Sequence, residues 1–318
     1  MKGKAVRPFS GTRRRARAAL ALLGLASAPP APAVAQAAAL TSDLWRVAAG
    51  TLVEPDAVAT GGVAPFWTPA VLVAAPSRAT RVGIETIHTQ SDIGVNGGIA
   101  AVATRVGRLG TLHAVYGHVG LGDLVRTETS PEGLGGSIPV YADVLSLGAA
   151  RRVSAVLILG AALRLESGRL ADRARTQAGV DVGILYDGLP RLRLGATTRF
   201  WDPTFGPSEQ AASYSLGGEY RAPGFPLWGT EGAVLLRYGI TLLHGESPQH
   251  LLSGGLALGD AIELDLGAAY EEAGDAAVWR SRYGLGVGAG RYRIVVARDD
   301  GVNGFGATYR FGLSATFP

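Results

Sequence analysis

Five histidines are the side chains of this sequence best suited to binding a metal or moving a proton, but their spacing does not bring them together. His113 and His118 are five residues apart, which places them on opposite faces of a strand. His88, His244 and His250 fall near predicted strand ends or in loops. We therefore predict no metal site and expect solvated or interfacial histidines.

Nucleophilic chemistry and phosphate binding have equally little support. No local motif joins a serine and a histidine to an acidic partner, as a serine hydrolase requires. The four glycines between Gly284 and Gly290 are spaced by two, unlike a dinucleotide-binding fingerprint. The chain has no cysteine, so thiol chemistry and disulfides are absent. The sequence predicts no catalytic residue and no cofactor; a hydrolase with Ser, His and an acid within hydrogen-bond reach is kept as an alternative.

Arginines form a charged pattern with a clear period. Arg193 and Arg199 lie on one face of a segment whose other face carries Leu194 and Phe200. Similar alternation recurs further along the chain, as where Arg282 alternates with apolar neighbours. A period of two is that of a β-strand, so these arginines share one side of a sheet.

The same period runs through most of the chain. In residues 305–318 one face is small or polar and includes Arg310. The other face is apolar and includes Phe305, Tyr309, Phe311 and Phe317. About fourteen segments alternate in this way: 80–88, 95–106, 109–119, 139–151, 153–166, 174–187, 190–201, 211–222, 230–242, 249–259, 261–271, 278–289, 291–298 and 304–317.

The connections indicate how these strands are assembled. Long polar connections alternate with tight turns, as in transmembrane β-barrels, whose outer loops are long and whose periplasmic turns are short. We predict an all-β fold, a closed antiparallel transmembrane β-barrel of about fourteen strands over residues 80–318, with both ends in the periplasm. A soluble β-sandwich is the alternative, but its connection lengths would not alternate.

A barrel wall determines where charges can point. A charge that faces lipid costs ~2–4 kcal/mol at the membrane midplane, so the charged faces must point inward. Phe200 and other aromatic residues near strand ends should face lipid. Cross-strand ion pairs would close the lumen; a basic path, or an anchor for an anionic head group, is the functional alternative. The charged residues predicted to line the lumen are Arg193, Arg199, Arg237, Arg280, Arg282, Arg291, Arg293, Arg310, Glu263 and Asp265.

Residues 1–35 are predicted to be a cleaved secretory signal peptide. Seven basic residues and no acid occur in it, and Ala33-Val34-Ala35 forms an A-x-A cleavage site after an apolar stretch. Removing those seven leaves 23 of the 30 basic side chains against 26 acidic ones, a net charge of −3. Nucleic-acid binding is therefore unsupported. The expected location is the outer membrane, with its lipid and the outer-membrane assembly machinery as partners.

Residues 36–79 differ from the barrel segments. Four prolines between positions 55 and 76 argue against a central strand. The segment is also too apolar for a free tail. We predict an N-terminal hatch, or plug, folded into the barrel mouth. Its candidate functional residues are Trp45, Phe66, Trp67 and Pro69.

This layout resembles the FadL-like outer-membrane barrels, including the PorV-like branch linked to type IX secretion. In those families the mature N-terminus forms a hatch inside a fourteen-stranded barrel, and a Gly-rich stretch and an Asn-Pro-Ala motif precede the first strand. Here Gly61-Gly62 and the Phe-Trp-Thr-Pro-Ala of residues 66–70 stand at that place, with Thr68 where the motif has Asn. The Tyr-Arg-Phe-Gly of residues 309–312 is similar to the closing strand of the PorV-like branch.

The resemblance implies two roles. One is the passage of small hydrophobic or amphipathic molecules across the outer membrane; the other is service in protein secretion, with secretion-system components as partners. A structural or partner-binding barrel without transport is the alternative. Transport would need a continuous cavity past Trp45, Phe66 and Trp67, whereas a partner-binding barrel would have a filled lumen.

Overall fold

Fourteen β-strands close into one barrel in the computed structural model. The structure describes residues 44–45, 52–71, 79–90, 94–122, 124, 137–171, 173–201, 212–227, 229–243, 247–273, 276–301 and 306–318. The predicted signal peptide, residues 1–35, and Phe305 lie outside the described residues. The barrel strands are β1 (Thr80–Thr89), β2 (Val95–Val106), β3 (Gly110–Leu121), β4 (Val140–Arg152), β5 (Leu157–Leu170), β6 (Arg173–Leu189), β7 (Leu192–Trp201), β8 (Ser213–Arg221), β10 (Thr230–Leu243), β11 (Gln249–Leu258), β12 (Ile262–Ala273), β13 (Ala276–Ala289), β14 (Tyr292–Asp299) and β15 (Thr308–Phe317).

Antiparallel pairing of the last strand with the first closes the sheet. β15 pairs with β1 from Thr80↔Phe317 to Thr89↔Thr308. A short extra strand, β9 (Phe225–Leu227), pairs with the start of β10. Closure matters because an open sheet edge would leave backbone groups unpaired in hydrocarbon.

The two ends of the barrel differ in their connections. At one end, here called the short-turn end, the links are brief, such as the 3-10 turn Gly107–Leu109 and residues 290–291. At the other, the long-loop end, residues 122–139 and 202–212 separate consecutive strands. Barrels of this kind place their short turns in the periplasm. The start of β1 and the end of β15 pair at the short-turn end, so the barrel sheet begins and ends on that side.

The outer wall is apolar, whereas the buried charged side chains of the strands point inward. Ile84, Leu163 and Phe311 are at least half exposed on the outside, whereas their chain neighbours Glu85 and Arg310 are buried inside. An apolar exterior around a polar interior is the arrangement that a lipid bilayer requires. The predicted fold, a closed antiparallel transmembrane barrel of fourteen strands, is therefore confirmed. None of the helices in the described residues is long and apolar enough to cross a membrane.

A β-bulge in β7 turns the side chain of Phe200 inward, although it was predicted to face outward. The pairing of β7 with β6 shifts between Val180 and Val182, and Phe200 has a φ of 59°, an outlier for a bulky side chain. As a result Arg199 and Phe200, although adjacent, are both buried. The prediction that Phe200 faces lipid was wrong, because strict alternation does not anticipate an inserted residue.

Residues 44–45 and 52–71, here called the N-terminal segment, lie inside the barrel. A 3-10 turn, Asp56–Val58, contacts β6, β7 and β8, and a helical turn, Ala64–Trp67, contacts β2 and β3. Pro65 stands in the first turn of that helix, where its missing N–H costs no hydrogen bond.

Leu163, in the middle of β5, tests the register of the outer wall because 71% of its side chain is exposed. We predict that Leu163→Arg destabilises the barrel in a bilayer by ~2–4 kcal/mol, since the guanidinium would face hydrocarbon near the midplane. Urea unfolding in phosphatidylcholine vesicles measures this cost. Leu109→Arg, at the short-turn rim, is the matched control and should cost no more than ~1 kcal/mol. Equal costs at the two positions would contradict the register.

Candidate functional site

Three aromatic rings of the N-terminal segment fill the centre of the lumen. The ring centroids of Trp45 and Phe66 are 4.7 Å apart, and those of Phe66 and Trp67 are 4.8 Å apart in an edge-to-face pair. All three side chains are buried, and they belong to one apolar cluster with Ile99 and Val119 of the inner wall. Such ring pairs add about 0.5–1.5 kcal/mol each beyond the burial of their area.

Many of the inner-wall residues that contact the N-terminal segment are glycines. A Cβ at Gly160 would collide with the backbone of Pro69, and a Cβ at Gly195 would collide with the carbonyl group of Ala57. Glycines of eight strands make such contacts with the segment: Gly83, Gly117, Gly160, Gly183, Gly195, Gly217, Gly239 and Gly284. The N-terminal segment therefore lies directly against the wall, at distances that larger side chains would prevent.

Four wall arginines from four strands bond to the N-terminal segment. Arg282 Nη1 donates to the carbonyl oxygen of Leu52 over 2.9 Å, and Arg199 Nη2 donates to a carboxylate oxygen of Asp56 over 2.6 Å. The other two donate to backbone carbonyls, Arg81 to Thr60 and Arg164 to Phe66. Bonds with an ionised partner are about twice as strong as neutral ones, so these contacts fix the segment in place.

The bulge in β7 is tied to the same network. Arg164 Nε donates to a carboxylate oxygen of Asp181 over 2.7 Å, and the other oxygen of Asp181 accepts the backbone N–H of Phe200 over 2.9 Å. The Arg164 guanidinium lies 4.5 Å from the Phe200 ring centre and 5.1 Å from that of Phe66. The strained backbone of Phe200 thus places a ring between wall and segment.

A second cluster gathers three carboxylates around one guanidinium. Arg237 donates to Glu219 over 2.7 Å, to Glu263 over 2.6 Å and to Asp265 over 2.5 Å. Arg293 donates to the second oxygen of Glu263 over 2.5 Å. Each carboxylate of this cluster therefore has at least one guanidinium partner.

Two further ion-pair groups complete the charged part of the wall. Asp299 accepts from Arg280 Nη1 over 3.0 Å and from Arg282 Nε over 2.8 Å. Arg310 of β15 pairs with Glu85 of the neighbouring β1. These contacts match the ion-pair interpretation of the predicted lumen charges.

The structure places the predicted lumen residues as follows. Arg193 is inward by register but partly exposed, 3.8 Å from Glu219. Arg291 precedes β14 at the short-turn rim and is exposed, with its guanidinium over the rings of Tyr292 and Phe317. The others point into the lumen: Arg199, Arg237, Arg280, Arg282, Arg293, Arg310, Glu263 and Asp265.

Sequence reasoning missed several partners of these arginines. Glu85 could have been found, because it alternates with the outward-facing Ile84 in β1. Asp56 lies in an irregular segment with no period, so no pattern predicts which strand it faces. Asp299 was assigned to a loop, but it is the last residue of β14 and points inward.

The described histidines, which do not include His244, bond to asparagine, aspartate and tyrosine side chains or have no partner. His113 and Ser146 are buried on the inner wall, and neither side chain has a hydrogen-bond partner. His118 faces outward and bonds to Asp143 over 2.8 Å, so His113 and His118 lie on opposite faces of β3 as predicted. Within the described ranges, no three His, Cys, Asp or Glu side chains form a group that could hold a metal ion.

Two cavities lie beside the N-terminal segment. The first, about 30 Å³, is toward the long-loop end and is lined by Trp45, Arg199 and Arg282. The second, about 80 Å³, is toward the short-turn end and is lined by Arg237 and Glu263. An engineered cavity that holds benzene measures about 150 Å³, so neither cavity admits such a molecule as it stands.

Glu54 closes a loop of the N-terminal segment. Its Oε1 accepts the backbone N–H of Thr60 over 2.9 Å, and its Oε2 accepts the Thr60 hydroxyl over 3.1 Å. Burial raises the pKa of the Glu54 carboxyl above its usual value. The charge of Arg237 and the Thr60 bond lower this pKa, whereas the nearby Glu263 and Glu219 raise it further.

Comparison with known proteins shows which solved structures have a similar fold. No protein-family model and no curated protein matches the chain. Among solved structures, the monoaromatic hydrocarbon channel CymD matches with a TM-score of 0.50 and 12% identity over 85% of this chain and 95% of its own. The fold is that of the FadL-like barrels. The toluene transporters TbuX of Ralstonia pickettii and TodX of Pseudomonas putida give TM-scores of 0.49 and 0.48 at 13% and 12% identity, over 80% and 82% of this chain and 92% and 94% of theirs.

Gly195 tests the close approach of the N-terminal segment to the wall. We predict that Gly195→Ala lowers the stability of the folded barrel by ~1–3 kcal/mol, because the added Cβ overlaps the Ala57 carbonyl. Denaturant unfolding in detergent micelles measures the loss. Gly254→Ala is the control, since a Cβ there meets nothing closer than 3.8 Å. A barrel equally tolerant of both changes would mean that the segment does not contact β7.

The raised pKa of Glu54 predicts that its contribution to the stability of the folded barrel falls as pH rises. Because its folded pKa is raised, the folded barrel binds this proton more tightly than the unfolded chain. The resulting stabilisation is complete below the unfolded pKa of about 4.3 and is lost as pH rises through the raised value. The unfolding midpoint of Glu54→Gln relative to wild type should therefore increase between about pH 4 and pH 8. Guanidinium unfolding in micelles across that range measures it; a constant difference would contradict the assignment.

Proposed function

We propose that this chain is an outer-membrane channel for small hydrophobic or amphipathic molecules, and that the N-terminal segment is the movable gate of its lumen. The observation that carries the proposal is which part of the chain fills the lumen. The N-terminal segment, which precedes β1 in the chain, fills the lumen. The side chains of the wall would not fill it by themselves. Trp45, Phe66 and Trp67 would have to shift for a molecule to pass.

The inner wall supports passage of molecules with an apolar part and a polar part. On β2 to β4 it is largely apolar, with Ile99, Val115 and Val144 buried against the aromatic rings. On β5 to β15 it carries the ion-pair clusters centred on Arg164 and Arg237. A lumen with one apolar and one charged side offers each part of an amphipathic molecule a matching surface.

The energetics favour a partial movement of the gate. A hydrogen bond to a charged group contributes about 1.5–3 kcal/mol, so breaking all four arginine contacts would cost on the order of 6–12 kcal/mol. That cost would leave the open state almost unpopulated, because minor states that are detectably populated lie only a few kcal/mol above the ground state. Breaking one contact, such as Arg199 with Asp56, falls within that range.

A filled lumen is also what a partner-binding barrel without transport predicts, so this is the second candidate function. The two differ in whether the N-terminal segment moves. In a partner-binding barrel the segment would be a permanent part of the fold. Holding it in place would then change nothing at the membrane.

Ala57 and Gly217 offer a covalent test. A Cβ at position 217 would lie 3.6 Å from the Ala57 Cβ, within the range of about 3.5–4.5 Å that a disulfide needs, and 2.9 Å from the Pro55 Cβ, so Pro55 must shift slightly to accommodate it. The chain has no cysteine, so the double variant Ala57→Cys, Gly217→Cys creates one possible pair. We predict that oxidation of this variant blocks uptake of 1-N-phenylnaphthylamine by intact cells that express it, and that reduction restores uptake.

The two single-cysteine variants are the controls, and their uptake should not respond to oxidation. Equal dye uptake by the oxidised and reduced double variant would show that the N-terminal segment is not the gate. Absence of barrel-dependent uptake in every form would favour the partner-binding barrel.

A further inference from the structure

The cavity on the long-loop side of the N-terminal segment is lined by hydrogen-bond donors that lack acceptors. Arg199 Nε and Nη1, Arg282 Nη2 and the Ser213 hydroxyl are buried without a partner, and so is the indole N–H of Trp45. All four side chains are at most 4% exposed. An unpaired buried donor is unfavourable, so five of them, on four side chains that line one cavity, indicate a site for an acceptor that bonds to several donors.

The two arginines are held in place by bonds that leave these donors free. Arg199 uses Nη2 for Asp56, and Arg282 uses Nε for Asp299 and Nη1 for Leu52. The remaining edges are therefore fixed in position before any ligand arrives. Preorganised donors of this kind lose little side-chain freedom when they bind an anion.

The charge and shape of the cavity narrow the class of ligand. Of its charged lining residues, Arg199 and Arg282 are basic and Asp56 is acidic, so the lining carries one net positive charge, with Asp299 behind it as the partner of Arg282. The remaining lining is partly polar, through Ser215 and Gln249, and partly apolar, through the ring of Phe200 and the side chain of Leu251. Donors beside an apolar surface are typical of a site that orients a molecule by its polar end.

We propose that this cavity, which at about 30 Å³ has room for the carboxylate group alone, binds the carboxylate of a small organic acid whose apolar body lies outside it, toward the long-loop end. This inference rests on the proposed channel function and names a substrate class for it. A neutral hydrocarbon would leave the five donors unpaired. A carboxylate has about four acceptor positions and satisfies several donors at once.

The strand wall beyond the donors leaves room for an apolar body. Arg199 is two residues from the end of β7, and Arg282 is six residues from the long-loop end of β13. At about 3.3 Å per residue, this wall extends on the order of 7 to 20 Å beyond the donors. That length accommodates a phenyl ring.

Calorimetric titration of the purified full-length barrel with benzoate tests this site, with toluene, benzamide and acetate as comparison probes. Benzoate should bind more tightly than the neutral toluene and benzamide, and more tightly than acetate, which lacks the ring. Ser213→Ala and Trp45→Phe each remove one donor and leave the structural ion pairs intact. Each should weaken benzoate binding about tenfold or more.

Ser253→Ala is the matched control, because the Ser253 hydroxyl is also buried, inward-facing and unpaired but does not line this cavity. It should leave benzoate binding unchanged. Equal affinity for benzoate and benzamide, equal effects of Ser213→Ala and Ser253→Ala, or no benzoate binding would overturn the proposal. Benzoate binding without transport would refute the channel function and keep the site, whereas dye transport without benzoate binding would refute the site alone.

Discussion

The structure depends on one constraint, which is that arginines in a membrane barrel must face inward and must be paired there. A guanidinium on the lipid side is costly, and one left unpaired inside is costly as well. The acids on neighbouring strands satisfy only part of this need. The carbonyl groups and Asp56 of the N-terminal segment satisfy more of it, through Arg81, Arg164, Arg199 and Arg282. Because an irregular backbone also needs donors for its own carbonyl groups, wall and segment stabilise each other.

The glycines of the inner wall make this pairing sterically possible. Any larger side chain at Gly160 or Gly195 would push the segment away and lengthen its bonds to the arginines. The aromatic rings then pack between the apolar side of the lumen and the charged side, where the guanidinium groups of Arg164 and Arg199 lie over Phe66 and Trp67. Closure of the lumen therefore results from three separate contributions: backbone contact at glycine, ring packing, and charge-assisted hydrogen bonds.

The barrel was predictable from the sequence because a strand with lipid on one side must alternate along its whole length. The strand count, the inward arginines and the alternation of connection lengths all follow from that period. The bulge at Phe200 was not predictable, since it breaks the period without a glycine to mark it. The partners of the N-terminal segment were not predictable either. Asp56 and Glu54 lie in an irregular segment, and their contacts depend on how that segment folds inside the finished barrel.

The central claim is that the N-terminal segment, and not the wall, closes the lumen. The most direct test is the ion conductance in planar bilayers of a chain that lacks residues 43–76, with closure of the barrel verified by its heat-modifiable mobility in electrophoresis. We predict that the wild-type barrel conducts little at rest and that the shortened barrel forms a steady open pore. A shortened barrel that folds and conducts no more than wild type would contradict it.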